Sequence, residues 1–261
     1  MRPTKKVTKA SRFEILQKDC LEFLKSLPEE SVDIIVTDPA YSGMNNKMNF
    51  GNGRIVGEYK KGGNEKWFPE FKDEPETFLY FLKLCHRVLK NNRHLYIMFD
   101  SFSLLSLGHI VRDVFDVKNL LVWDKVNFGM GHYFRRRHEF ILFATKGYRK
   151  LNSKSIPDVW RIKRIPRGIY PTQKPVELFD MMLKASSSPG FLVCDPFVGS
   201  GSSSIGALKA SCDFIGADIS LKACRIAKKR ADCFLKTGID IYQKRSALPE
   251  DLKKSLQNKL L

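Results

Sequence analysis

The apolar residues of this chain follow two alternating rhythms. Short, nearly continuous apolar runs recur at Phe13–Leu16, Val32–Val36, Leu95–Phe99, within Asn119–Lys125 and His138–Ala144, at Phe191–Cys194 and at Phe214–Ala217. Each is strand-length and rich in β-branched or aromatic residues, the pattern of strands buried on both faces of a parallel sheet. Between them the spacing turns helical. Helices are predicted over Leu21–Leu27 (closed by Pro28), from Pro75 through Phe78, Leu79, Leu82, Leu84 and Val88, over Leu104–Phe115 and over Val176–Ser186. Two more follow, over Ser203–Ala210 and from Ser220 to about Lys236. Strands alternating with helices predict an α/β fold with seven strands in a mostly parallel sheet and helices on both faces.

Two stretches break this rhythm. Residues 42–75 carry six glycines and little apolar periodicity. A run of that length inside an α/β domain is either functional or disordered. It reads as a lid, with Trp67, Phe68 and Phe71 as anchors to the core, or as plain disorder. Residues 127–170 include a glycine-bearing loop ending in Arg135-Arg136-Arg137, then a stretch from Lys146 to Arg167 with eight basic residues and Asp158 as its one acid. That stretch is a solvated linker or a surface for a polyanion. The expected organisation is a flexible basic tail over 1–12, a domain over 13–235, and a polar tail over 236–261.

Charge sharpens the picture. Forty-five Lys and Arg against twenty-eight Asp and Glu leave +17 across 261 residues, which favours a nucleic acid as partner over an anionic membrane surface. No apolar run approaches the ~20 residues that span a bilayer, and Met1–Arg12 lacks the apolar core of a secretory signal. The six cysteines form no Cys-x-x-Cys pair. They read as reduced thiols of a cytoplasmic protein rather than as disulfides or metal ligands.

The chemistry gathers where strands end. The run Val32–Thr37 delivers Asp38-Pro39-Ala40-Tyr41 to the carboxyl edge of the sheet, where open α/β sheets hold ligands. This set suits a flat base with an exocyclic amine: Asp38 accepts one N–H, the Pro39 carbonyl accepts the other, and Tyr41 stacks on the ring. An ordinary Asp-Pro turn is the plainer reading of those four residues alone. A second strand end, Cys194-Asp195-Pro196-Phe197-Val198-Gly199-Ser200-Gly201, leads into a helix beginning Ser202-Ser203. Its glycines admit a ligand to the backbone, and the helix start favours negative charge. Asp218, at the end of the next strand, suits a ribose diol. A dinucleotide site shares these features, but Ser204 stands where its third glycine would be, and no hydride-transfer constellation precedes it.

Taken together, these stretches resemble the amino-directed, S-adenosylmethionine-dependent DNA methyltransferases. Asp38-Pro39-Ala40-Tyr41 is similar to their Asp-Pro-Pro-Tyr motif, with Ala40 in place of the second proline. Tyr170-Pro171-Thr172-Gln173-Lys174-Pro175 resembles His-Pro-Thr-Gln-Lys-Pro, and Asp195–Gly201 resembles the cofactor motif. Trp123, Lys125 and Arg137-His138-Glu139 match later motifs loosely. The order, with the amine motif first and the cofactor motif last, is that of the β group. The resemblance covers about residues 13–235. It implies a Rossmann-like methyltransferase fold. It also implies methyl transfer to N6 of a flipped adenine in double-stranded DNA, with Asp38, Pro39 and Tyr41 catalytic. Asp19, Cys20, Asp38, Thr172, Lys174, Asp195, Phe197, Gly199, Gly201, Ser202, Ser203 and Asp218 would hold S-adenosylmethionine, and no metal is implied. The basic segment 127–170 becomes a target-recognition region, with Arg135, Arg136, Arg137, Lys163 and Arg164 on DNA. A homodimer and a cognate restriction endonuclease are the further partners implied. N4-cytosine transfer, an RNA substrate and a non-catalytic nucleic-acid-binding role stay open. A C5-cytosine enzyme is disfavoured, since no Pro-Cys pair occurs.

Overall fold

A computed structural model describes residues 11–41, 71, 74–129, 133–165, 170 and 172–242. Among them, β1 (Phe13–Gln17), β2 (Val32–Thr37), β3 (Leu89–Phe99), β4 (Asp116–Asp124), β5 (His138–Lys146), β6 (Val159–Arg161), β7 (Leu192–Asp195) and β8 (Asp213–Asp218) form one sheet in the order β1-β8-β7-β2-β3-β5-β4-β6. The helices are α1 (Cys20–Ser26), α2 (Pro75–Val88), α3 (Ser101–Leu107), α4 (Val176–Ser186), α5 (Ser202–Lys209) and α6 (Leu221–Thr237), with a 3-10 turn over Gly108–Asp113. The architecture is the expected Rossmann-like α/β layer structure.

The pairing explains where a ligand can sit. Strands β1, β8, β7, β2 and β3 are parallel, so their carboxyl ends share one edge. From β2 the chain crosses rightward to β3, and from β7 it crosses leftward to β8. The two are neighbours, Ile34 opposite Val193 and Ile35 opposite Cys194. The sheet therefore opens a crevice between their carboxyl ends, a topological switch point. β5 alone runs antiparallel, to both β3 and β4. This reversal brings the amino end of β5 to the edge where every other strand ends.

Each face has its own core, because strands apolar on both sides need cover on both. One core joins Phe23 and Leu24 of α1, Phe78, Phe81 and Leu82 of α2, and Ile35, Leu95 and Ile97 of the sheet. The other joins Leu178, Phe179 and Met182 of α4, Ala207 of α5 and Ala227 of α6 to Ile34, Val36, Tyr96 and Val193. All six residues of β2 are buried.

Two details depart from the sequence reading. The sheet has eight strands, not seven. The added β6 is three residues long, lies in the basic stretch, and pairs parallel to β4 through Val159, Trp160 and Arg161. The periodicity there is too brief to register, yet Trp160 is buried and bonds the Pro157 carbonyl at 2.7 Å. The helix predicted over Leu104–Phe115 splits into α3 and the 3-10 turn. The start of α4, whose cap residue the sequence pattern leaves unspecified, has no side-chain cap bond. Pro175 holds the N-cap position, and Thr172 lies in the left-handed region with φ 60°.

Most of the lid expected over 42–75 lies outside the described residues, Trp67 and Phe68 among them. Phe71 is described and buried: its N–H bonds the Ala40 carbonyl at 2.9 Å, it bridges Tyr41 in parallel fashion, and its ring meets Phe78, Phe81 and Phe197.

Candidate active site

A pocket opens at the switch point. Asp19 and Cys20 after β1, Asp38, Pro39 and Ala40 after β2, and Asp195–Ser200 after β7 line it, with Ser202 of α5, Asp218 and Ile219 after β8, Phe71, Tyr170, Thr172–Lys174 and Phe179. Of the residues singled out from sequence, Asp19, Cys20, Asp38, Pro39, Thr172, Lys174, Asp195, Phe197, Gly199, Ser202 and Asp218 meet here. Gly201, Ser203 and Tyr41 stand behind the wall.

The glycine turn shows how the backbone is shaped for a ligand. Gly199 and Gly201 have φ of 52° and 82°, the left-handed region that side chains disfavour. A Cβ on Gly201 would lie 2.8 Å from Cβ of Ala227, so α6 presses on this turn from beneath. Gly206, within α5, allows the close approach of α4: a Cβ there would lie 2.7 Å from that of Phe179. It lies two residues beyond Ser204, where the sequence reading sought a third glycine.

Asp218 accepts the Gly199 N–H at 2.9 Å and the Ser220 N–H at 2.8 Å. Burial nevertheless pushes its carboxyl above the ordinary range. Asp195 is buried at the end of β7. Burial raises its carboxyl to about 7, against the lowering influence of the Ser203 and Thr37 hydroxyls and the Phe197 N–H. That N–H donates at 2.9 Å, whereas the two hydroxyls face the carboxylate outside strict hydrogen-bond geometry. Asp19 caps α1, accepting from Leu21 and Glu22 N–H at 2.8 and 3.3 Å, while also lining the pocket. Burial pushes the neighbouring Cys20 thiol well up, which keeps it neutral.

Asp38 is held differently. Lys174 Nζ lies 2.6 Å from its Oδ2 and 3.4 Å from Oε2 of Glu139. Glu139, the second residue of reversed β5, also pairs with Lys125 Nζ at 3.0 Å. A carboxylate beside an ammonium would ordinarily titrate low. Here burial, aided by Glu139 and Asp100, outweighs Lys174 and raises Asp38 above its usual range. Burial disfavours the charge on Lys174, yet the two carboxylates hold its ammonium above its usual range.

Two of the expected site residues are engaged by other groups in this structure. Tyr41 does not offer its ring to the pocket. It is 1% exposed, stacked on Phe99 at 5.2 Å, with its hydroxyl donating to the Met98 carbonyl at 3.1 Å. An aromatic residue just past a fully buried strand finds the core within reach, and the core covers it. Arg137 is not a free cation. Its guanidinium grips Asp124 in bidentate fashion at 2.6 and 2.7 Å and holds that carboxyl at about 2. Arg135, Arg136, Lys163 and Arg164 are exposed. Arg135 lies over Phe128 and Arg136 over Phe102. The Pro39 carbonyl accepts the Tyr41 N–H at 3.0 Å, which leaves one of its two lone pairs for a ligand.

Sequence reasoning missed Glu139 as a neighbour of Asp38 and Lys174, and Lys125 as the partner of Glu139, and it missed Arg230. Arg230 is fully buried, pairs with Asp240 at 2.7 and 2.6 Å, and donates to the Ser200 carbonyl and Ser202 Oγ. Ser202 Oγ in turn donates to the Lys174 carbonyl at 2.7 Å. One buried cation thus ties the glycine turn to the Lys174 segment. A signal existed: Arg230 falls seven residues after Ala223 and three after Ala227, on the buried stripe of α6.

These features converge with comparison to known proteins. Residues 32–229 match the model of the DNA methylase family of N6 and N4 methyltransferases, and the chain belongs to that family. It is 29% identical over 251 residues to the Type II methyltransferase M2.DpnII of Streptococcus pneumoniae, covering 88% of this chain and 93% of that one. It is 28% identical to the DNA adenine methyltransferase YhdJ of Escherichia coli K12 over 84% of this chain and 82% of the relative. The fold matches the crystal structure of an M1.HpyAVI–SAM complex with TM-score 0.61 at 22% identity, over 84% of this chain and 99% of that one.

Proposed function

We propose that this protein is a site-specific DNA methyltransferase that moves a methyl group from S-adenosylmethionine to N6 of an adenine turned out of double-stranded DNA. The observation that carries the reading is a half-buried carboxylate, Asp38, at the mouth of the β2–β7 switch point and beside a left-handed glycine turn. A relative that carries the adenine specificity in its name supports the choice of base.

The pocket residues fit the cofactor. Asp218 would take its ribose diol, Asp19 and Cys20 its adenine end, and Phe197 its apolar surface. The Gly199–Ser203 turn and Thr172 would receive the amino-acid end. Bound there, the cofactor supplies a methyl already activated on a sulfonium, so the protein's task is mainly positioning. The adenine amine is a poor nucleophile because its lone pair is delocalised into the ring. Asp38, accepting one amine hydrogen, and the free lone pair of Pro39, accepting the other, draw that nitrogen toward a tetrahedral shape and aim it. Turning the base out costs a few kcal/mol. With Tyr41 committed to the core, compensation comes from other contacts. Ala40 leaves the Pro39 acceptor intact.

The basic surface at Arg135, Arg136, Lys163 and Arg164 would meet DNA phosphates, with segment 127–170 as the recognition region and 42–75 as a lid. The relatives' Type II designation supports a cognate endonuclease, and a homodimer belongs to the same reading. The deciding experiment is nucleoside mass spectrometry of DNA from a methylation-free host expressing the chain. N6-methyladenine is expected. N4-methylcytosine would overturn the base, and neither mark from a protein that binds the cofactor would overturn the activity.

A further inference from the structure

The charges around Asp38 form a chain of alternating sign: Lys125, Glu139, Lys174, Asp38, with successive contacts of 3.0, 3.4 and 2.6 Å. The four come from the end of β4, the start of β5, the stretch before α4 and the end of β2. Their side chains keep 16, 25, 11 and 23% of their exposure, so water screens them weakly. We infer that Glu139 and Lys125 are positioning residues that set how tightly Lys174 holds Asp38, and thereby how freely Asp38 accepts the hydrogens of the target amine.

The argument is one of competition. An ammonium 2.6 Å from a carboxylate, with no rival, occupies the lone pairs that the amine needs. Glu139 gives Lys174 a second anion to serve and loosens its hold. Lys125 in turn occupies Glu139 and limits that loosening. The two outer residues therefore act on Asp38 in opposite senses, which ordinary structural roles would not do. The charged groups facing Asp38 are Lys174 before α4, Glu139 on β5, Asp100 after β3 and Asp195 on β7, while Lys125 faces Glu139. Asp100 is itself committed to capping α3 through the Phe102 and Ser103 N–H groups, which leaves Glu139 as the carboxylate that shares Lys174.

The consequence for catalysis rests on the methyl-transfer reading, but the coupling itself does not. Two readouts separate them. The first is the 13C carboxyl titration of Asp38 in the full chain without cofactor, its resonance assigned by loss in Asp38→Asn. The second is the pH dependence of single-turnover methyl transfer to DNA. Glu139→Gln is expected to lower the Asp38 midpoint by about one pH unit, to move the acid limb of the rate profile down with it, and to reduce the plateau rate. Lys125→Met is expected to move both upward. Lys125→Arg, which keeps the charge, should leave them near the wild-type values. The KM for S-adenosylmethionine should stay within about two-fold throughout, since positioning of this kind acts on the chemical step. If Glu139→Gln does not fold, Lys125→Met against Lys125→Arg decides the matter. Midpoints that stay fixed, or that move the same way in Glu139→Gln and Lys125→Met, overturn the inference. Opposite shifts in a protein that methylates no DNA would uphold the coupling and overturn the methyl-transfer reading.

Discussion

Strand β2 carries a carboxylate near each end, and the two have opposite fates. Asp33, beside its start, is met by Lys90 at 3.0 Å, Arg93 at 2.9 Å and the Leu192 N–H at 3.0 Å. Burial alone would raise its carboxyl, but these donors outweigh burial and hold it below the usual range. Asp38, one residue past the other end, has Lys174 as its cation and must share it with Glu139, and its carboxyl is raised. One residue type on one strand is thus saturated at one end and left wanting at the other. Saturation pins a fold, whereas unmet acceptor capacity beside an open pocket is available to a ligand. Burial pushes both carboxylates up, and the number of donors that answer it separates the structural acid from the chemical one.

The sharpest way to break this comparison is to remove each acid. Asp38→Asn is expected to reduce methyl transfer by about 10²–10⁴-fold, with S-adenosylmethionine still bound and the thermal midpoint nearly unchanged. Single-turnover kinetics and calorimetry check both halves, and retained turnover would strip Asp38 of its role. Asp33→Ala should do the reverse. Leaving Lys90, Arg93 and the Leu192 N–H without their acceptor should cost about 1–2 kcal/mol of stability, read from urea midpoints, while the rate per folded molecule holds.

A subtler test uses pH. The depressed Asp33 contributes stability that is present above the unfolded carboxylate range of about 4 and is lost as pH falls through its lower folded value. Asp195, raised to about 7 in the folded chain, works with the opposite sign. Its folded form binds a proton that the unfolded form has released, so stability is full below about 4 and is lost as pH rises toward 7. Urea midpoints of the cofactor-free protein from pH 3 to 8 should therefore flatten at the acid end in Asp33→Asn and between about 4 and 7 in Asp195→Asn. Flattening in the same window for both would refute the assignment.

The smallest expected effect concerns the basic loop, where Arg137 is ion-paired with Asp124 while Arg135, held by the Gly129 carbonyl and the Phe128 ring, keeps its charge without an acidic partner among the described residues. Arg135→Ala should lower the slope of log affinity against log salt by about 0.9, the value of one phosphate contact. Arg137→Ala should leave that slope nearly unchanged and lower the thermal midpoint instead, because its charge is engaged by Asp124. A slope change in Arg137→Ala equal to that in Arg135→Ala would show that the Asp124 pair gives way to DNA.

What the sequence revealed, and what it hid, follows from range. β2 and the glycine turn were legible because each is written in consecutive residues: a strand-length apolar run ending in Asp38, and two glycines between a strand and a helix. The charge chain beyond Asp38 was not, because Lys125, Glu139 and Lys174 are scattered along the chain, and no local pattern announces the reversal of β5 that brings Glu139 to this edge. The packing of Tyr41 on Phe99 was not legible, because its sequence context is the same whether the ring faces the pocket or Phe99. Packing decides that, and packing also hid Arg230, a basic residue in a basic helix whose burial shows only in the stripe it shares with small residues. β6 is shorter than any period can reveal.

The bridge between Tyr41 and Phe71 has a consequence for how this chain can change over time. Phe71 is fastened beside Tyr41 by its N–H on the Ala40 carbonyl and by aromatic packing against Phe197. The entropic cost of closing a loop grows slowly with its length, about 0.6 kcal/mol for each doubling. A change in the number of residues between these two positions is therefore expected to cost the sheet little, so long as Phe71 keeps its seat. Ala40 and Phe71 both line the pocket, so the fold lets the length of its sequence vary between two fixed points beside its chemistry.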